Sequence, residues 1–182
     1  PEQAMNFVAE MKELSAILPF ISIDEEGGKI SRIANSRYKG FEVQWVPAMG
    51  VIGEGGDINE ARKAGNTIGK YLKEFGFNLN FAPIADLDDS ESEGVIGERS
   101  FGTDPQTVSA MISAFIEGMH ENGILSCLKH FPGMGSTTQN TDTGLASTDR
   151  SAEDFRANEF VVFQAGIDAG ADMVMVSHMS AP

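Results

Sequence analysis

Residues 124–133 read ILSCLKHFPG, an apolar run that ends in two adjacent ionisable residues. The first five residues have the composition of a buried strand, and the Pro and Gly after the ionisable pair are typical of a loop. Burying a charge without a partner costs several kcal/mol or shifts its pKa. Lys129 and His130, side by side at the end of such a strand, therefore indicate a functional site.

The same unit of helix, apolar strand and polar loop recurs along the chain. Apolar periodicity and capping residues predict helices at 1–16, 57–75, 104–122 and from 151, and apolar strands follow at 18–24, 77–83, 124–128 and 172–176. This alternation predicts an α/β fold with a parallel sheet covered by helices. A (β/α)8 barrel usually takes about 250 residues. We therefore expect residues 1–182 to be a fragment of one such barrel domain, with about four β/α units and without its first and last strands.

Polar residues fall at the ends of these predicted strands. They are Asp24, Asp86, the pair Lys129 and His130, and His178. In a (β/α)8 barrel, and equally in an open α/β sheet, the carboxyl ends of the strands form the face that carries the active site. The sequence therefore predicts that these side chains share one face.

Composition and charge exclude several classes of partner. The formal net charge of −14 argues against nucleic acid, whose binding requires a basic surface, but suits a neutral ligand such as a sugar. No apolar run approaches the roughly 18 residues of a membrane span. The three histidines lack the spacing of metal ligands on one element, so we expect neither a metal nor a cofactor.

Several motifs, taken in order, resemble glycoside hydrolase family 3, and in particular its β-N-acetylhexosaminidase (NagZ-like) branch. The resemblance extends over nearly the whole chain. It is carried by IDEEGG at 23–28 with Arg32, FAP at 81–83 with Asp86, IGERSF at 96–101, KHFPG at 129–133 and VSH at 176–178.

This resemblance implies the barrel domain of a retaining glycosidase that removes a terminal non-reducing N-acetyl-β-hexosaminide or β-glucoside. It also implies that a set of polar side chains binds the sugar: Asp24, Arg32, Arg99, Lys129, His130 and, by continuation of the match, His178. Charged groups form the stronger hydrogen bonds to hydroxyls, so these residue types fit that task. Cytoplasmic and secreted or cell-surface locations both suit the family.

The sequence departs from the family pattern in the catalytic residues. In the family, the nucleophile is an Asp on a strand that would follow Pro182. No residue of residues 1–182 is therefore assigned that role. The hexosaminidase branch has an Asp-x-His dyad where this chain has Asn140 and Asp142, and Met134 replaces a further His. Asp142 is the acid/base candidate that remains. Aspartate has an ordinary pKa near 3.9, so burial would have to raise it.

Three alternatives follow from these departures. The complete protein is a glycosidase whose acid is Asp142 or comes from another domain, or it is a non-catalytic sugar-binding protein on the same scaffold. The third alternative is an unrelated α/β binding domain. We also expect that a second copy, or further segments of the same polypeptide, completes the sheet, because an open edge offers unpaired backbone groups.

Overall fold

The computed structural model describes residues 2–35, 43–89, 95–137 and 144–182. The helices in these ranges are α1 (Glu2–Leu14), α2 (Met49–Gly55), α3 (Ile58–Phe75), α4 (Pro105–His120), α5 (Ala152–Ala157) and α6 (Glu159–Asp168). The strands are β1 (Ser22–Ile23), β2 (Glu25–Gly27), β3 (Ile30–Ser31), β4 (Leu79–Asn80), β5 (Leu125–Phe131), β6 (Ala146–Ser147), β7 (Met173–Val176) and β8 (Met179–Ser180).

Four parallel strands form the main sheet, in the order β1, β4, β5, β7. Each strand pairs with the next one along the chain, and the intervening helices α3, α4 and α6 pack side by side. A doubly wound sheet reverses its strand order partway, whereas a (β/α)8 barrel progresses in one direction. The structure therefore confirms the prediction of a partial barrel. Within the described residues, β1 and β7 are the edges of this sheet.

The predicted starts of three helices agree with capping interactions in the structure, whereas the single helix expected from 151 is divided at Asn158 into α5 and α6. The Asp57 side chain accepts a hydrogen bond from the backbone of Asn59 at the start of α3, and Gly76, at φ 87°, ends that helix. Asp104 caps α4, and Ser151 forms a capping box with Asp154 at α5. The sequence did not predict α2 or the β2–β3 hairpin, because both lie in a segment without clear periodicity.

The core lies between the sheet and the helices. It is built from the inward faces of α3 and α4, including Ile68, Leu72, Met111 and Phe115, together with Leu128 of β5. None of the helices in the described ranges is long and apolar enough to span a membrane.

Helices α3 and α4 approach each other closely through two glycines. A Cβ atom added to Gly118 would lie 2.0 Å from the carbonyl oxygen of Arg62, and one added to Gly65 would lie 2.1 Å from that of Phe115. Backbone atoms of the facing helix cannot move aside as a flexible side chain would. The glycines thus allow the close approach of the two helices.

Replacing Gly118 with alanine is expected to destabilise the protein. Alanine favours a helix by about 1 kcal/mol over glycine, but overpacking of a tight contact costs about 1–3 kcal/mol and here involves backbone. We expect a net loss of about 2 kcal/mol in the free energy of unfolding, measured in urea. Gly55→Ala is the control, since an added Cβ there meets nothing within 4 Å. Equal stability of the two variants would contradict the packing argument.

Candidate active site

A cavity of about 540 Å³ opens at the carboxyl ends of the strands. Its polar lining consists of Asp24, Glu26, Lys29, Arg32, Arg99, Lys129 and His130, and its apolar lining of Ile30, Phe81, Val95, Met134 and Met175. Five of the side chains that the sequence singled out for sugar binding therefore lie around one cavity, although they come from three separate segments of the chain.

Lys129 is buried in this cavity together with its counter-ions. Only 2% of its side chain is exposed, and its Nζ lies 2.6 Å from Oδ1 of Asp24 and 2.7 Å from Oε1 of Glu26. Two carboxylates thus neutralise the buried charge of Lys129: Asp24, directly after β1, and Glu26, in β2. Nζ has three hydrogens, and these two contacts within the described residues leave one for a ligand.

Glu26 also binds Arg99. Its Oε2 accepts from Nε and its Oε1 from Nη2 of the guanidinium, each at 2.8 Å, in a bidentate pair. Burial alone would raise the pKa of the Glu26 carboxyl, but the hydrogen bond from Arg99 and the charges of Lys129 and Arg99 outweigh it and hold that pKa below its usual value. We call Asp24, Glu26, Arg99 and Lys129 the charged floor of the cavity; two carboxylates there balance two cations.

His130 is oriented by Asp86, a fully buried residue at the end of the segment after β4. Nδ1 of His130 lies 2.7 Å from Oδ2 of Asp86, and the backbone N–H of His130 donates to the same carboxylate at 3.1 Å. Met134 donates its N–H to Oδ1 of Asp86 at 2.8 Å. A carboxylate oxygen accepts, so Nδ1 of the ring carries the hydrogen and Nε2 remains for a ligand.

A register shift explains how two adjacent residues both reach the cavity. Along the β5–β7 pair, Lys129 lies opposite Met175 and Phe131 opposite Val176, so His130 is an extra residue on β5. In a regular strand successive side chains point to opposite faces, whereas a bulge redirects one of them. The sequence contained no signal for this bulge.

Glu25 supports the loop that carries Asp24 and Glu26. It is fully buried, and its carboxylate accepts from the backbone N–H of Ile33 and Ala34 and from the hydroxyl of Tyr71. Burial and the nearby Glu25 charge raise the pKa of Tyr71, which keeps its hydroxyl a donor. The sequence analysis singled out neither Glu25 nor Glu26, because nothing in a row of acids shows which of them is buried.

Three other predicted positions stand apart from the charged floor. Arg32 lines the cavity but is exposed, and His178, after β7, is exposed and does not line it. The sugar-binding role of His178 therefore stays a prediction.

Asp142, like Asn140, lies outside the described residues. Met134, in place of the family's His, is buried in an apolar cluster with Ile84 and Ile96. Among the described residues, no group of three or more His, Cys, Asp or Glu could hold a metal ion.

The lowered pKa of Glu26 predicts a specific pH dependence. A carboxyl whose pKa is lower in the folded state stabilises the fold above its unfolded pKa, and this contribution is lost as pH falls through the folded value. The free energy of unfolding of wild type should therefore exceed that of Glu26→Gln near neutral pH, and the gap should shrink below the ordinary glutamate value of 4.5. Urea titrations between about pH 3 and pH 7 measure it. Glu60→Gln, at an exposed ion pair, is the control; a constant gap for Glu26→Gln would contradict the prediction.

A partial (β/α)8 barrel whose strand ends carry a charged pocket defines the class of the molecule, that of barrel domains with a site for a small polar ligand. The family model of the glycosyl hydrolase family 3 N terminal domain matches residues 3–182 of this chain. The chain therefore belongs to this family.

Individual relatives agree with this assignment. A β-hexosaminidase of Stenotrophomonas maltophilia is 32% identical over 181 residues, which cover 100% of this chain and 53% of the relative. A β-hexosaminidase of Xylella fastidiosa is 34% identical over 185 residues, covering 96% of this chain and 53% of the relative. The chain thus spans about half the length of the curated relatives that it matches.

Solved structures show the same fold. The family 3 β-N-acetylglucosaminidase of Paenibacillus sp. superposes with a TM-score of 0.91 at 32% identity, over 99% of this chain and 34% of that one. NagZ of Neisseria gonorrhoeae, in complex with N-trifluoroacetyl-D-glucosamine, superposes with a TM-score of 0.86 at 31% identity, over 100% of this chain and 53% of that one.

Proposed function

We propose that the complete protein hydrolyses terminal non-reducing β-glycosidic bonds, of N-acetyl-β-hexosaminides or β-glucosides, by a retaining mechanism, and that residues 1–182 are part of its barrel domain. The observation that carries the proposal is the convergence of Asp24, Arg99, Lys129 and His130 on one cavity at the strand ends. The names of the relatives, β-hexosaminidase and β-N-acetylglucosaminidase, support the same reaction class.

The charged floor suits a neutral, hydroxyl-rich ligand. Lys129 has one N–H left for a sugar oxygen, and Asp24, whose side chain is 40% exposed, accepts from a sugar hydroxyl. His130 offers Nε2 from a ring that Asp86 holds in place. Rigidly placed charged partners bind most strongly when the sugar ring distorts towards its oxocarbenium-like transition state.

The chemical step needs two further groups. A retaining glycosidase forms a covalent glycosyl-enzyme intermediate on a carboxylate nucleophile, while a second group protonates the leaving oxygen and then activates water. We assign the nucleophile to no residue of this chain and propose that another part of the complete protein supplies it. Asp142 is our candidate for the acid/base, in the place of the family's His.

Turnover of activated substrates tests the proposal. The complete protein is expected to release 4-nitrophenol from its N-acetyl-β-glucosaminide or its β-glucoside, with the β-anomer of the sugar as first product, as proton NMR would detect. Replacement of Asp142 by Asn should lower kcat with little change in KM, because general acid/base catalysis contributes about 10²–10⁴-fold. Absence of turnover on both glycosides would refute the proposal.

The altered dyad favours a second candidate, a sugar-binding protein that has lost catalysis. Asn140 and Asp142 stand where the resembling branch has Asp and His, and Met134 is buried where that branch has a further His. The variant Asn140→Asp combined with Asp142→His separates the two candidates. A gain of turnover from an inactive parent would support the binding protein, whereas a parent as fast as the restored variant would refute it.

A further inference from the structure

The carboxylate of Glu26 joins two cations that the chain brings from distant segments. Arg99 comes from the turn before α4 and Lys129 from β5, and both contact the same 3% exposed side chain. A cation in a sugar pocket can serve two kinds of ligand, since it donates to hydroxyls and also attracts carboxylates. What surrounds the cation determines which of them is preferred.

Glu26 occupies one of the two bidentate edges of the Arg99 guanidinium. Nε and Nη2 of Arg99 both donate to Glu26, and its Nη1 lies 3.4 Å from the carbonyl oxygen of Val95. Bidentate pairing is a geometry by which arginine recognises a carboxylate, and Glu26 occupies it at the Nε–Nη2 edge. Single hydrogen bonds to a neutral hydroxyl need no such edge.

Most of the hydrogen-bond donors of Lys129 are also occupied. Two of its three N–H groups point to Asp24 and Glu26, and a ligand near its third would lie beside two carboxylates. An anionic sugar would gain little from a cation already neutralised and would be repelled by the partly exposed carboxylate of Asp24. Placing like charges together costs several kcal/mol.

We propose that Glu26 is a positioning and specificity-determining residue, which fixes Arg99 and Lys129 for hydroxyl recognition and reserves the pocket for neutral sugars over sugars with a carboxylate. The inference rests on the proposed function and names the substrate class of that same site. Arg32 and Lys29 also line the cavity, but both are exposed and solvent screens their charges, so the buried ion pairs of the charged floor set the preference.

Matched ligands test the inference in the complete protein by titration calorimetry. One pair is methyl β-glucoside and methyl β-glucuronide; the other is methyl N-acetyl-β-glucosaminide and its counterpart with a carboxylate at C6. In the pair whose neutral member binds best, wild type should bind that neutral glycoside more tightly than its carboxylate counterpart, by about tenfold or more. Glu26→Gln should reduce this ratio by about tenfold or reverse it, because the floor then carries an excess positive charge.

Control variants separate specificity from structure. Glu26→Asp keeps the charge and should keep the preference for the neutral sugar, as should Glu60→Gln, which removes the same charge from an exposed ion pair on α3. A merely structural role for Glu26 would weaken both ligands alike in Glu26→Gln and leave the ratio unchanged, which would overturn the inference.

The wild-type measurements keep the test decisive if Glu26→Gln does not fold. Equal affinity of wild type for neutral and anionic members would overturn the inference alone, and so would a Glu26→Asp variant without preference. Binding of neither neutral glycoside would overturn the proposed function, and the inference with it.

Discussion

The variant Lys129→Met is expected to lose about 3 kcal/mol in the free energy of unfolding and most of its affinity for a neutral glycoside. Methionine matches the aliphatic part of lysine in size but leaves Glu26 with Arg99 as its remaining cation. Removing one partner of a buried ion pair costs about 3–5 kcal/mol, and we expect the lower end because Arg99 still compensates.

The loss of sugar binding follows from the same contact. Without Nζ, the charged floor loses one of its two cations, and Asp24 loses the partner that holds it at 2.6 Å. A site built to hydrogen-bond a hydroxyl depends strongly on such a group, so we expect a decrease of about 10²-fold or more in kcat/KM. Urea unfolding and steady-state kinetics on the aryl glycosides measure the two effects.

Lys63→Met is the matched control for Lys129→Met. Lys63 pairs with Glu60 on the exposed face of α3, with 63% of its side chain accessible. Exposed pairs contribute about 0–1 kcal/mol, so stability should change little and turnover not at all. If Lys129→Met behaved like this control, the charged floor would have no energetic or functional importance.

Asp86→Ala is expected to have the second large effect. The Asp86 carboxylate is fully buried and accepts from the backbone N–H groups of His130 and Met134 as well as from the His130 ring. Each buried donor left without an acceptor costs about 1–3 kcal/mol, so we expect a loss of about 2–5 kcal/mol in stability.

The same substitution should reduce turnover by about 10²-fold, because His130 is then no longer held towards the sugar and small displacements in a site have effects of this size. Asp57→Ala, which removes the exposed cap of α3, should cost about 1 kcal/mol of stability and leave turnover unchanged. Turnover by Asp86→Ala at the wild-type rate would show that the orientation of His130 is irrelevant.

Much of the fold could be predicted because it depends on local patterns. The capping residues Asp57, Asp104 and Ser151 bind backbone groups two or three positions away. The apolar strands indicate a buried parallel sheet. The placement of Asp24, Lys129 and His130 at strand ends was enough to predict a shared site, since the carboxyl ends of parallel strands meet at one face.

The β/α alternation, the family and the residue types at the strand ends can be read from the sequence. The three-dimensional structure was needed to show that Glu26 is shared by Arg99 and Lys129, that Asp86 orients His130 and that His178 does not line the cavity. The reason is physical: Lys129 and Asp24 are 105 positions apart, and Arg99 and Glu26 are 73 apart. Whether such distant charges pair depends on the packing of whole elements and on a single bulge in β5, which no local pattern in the sequence records.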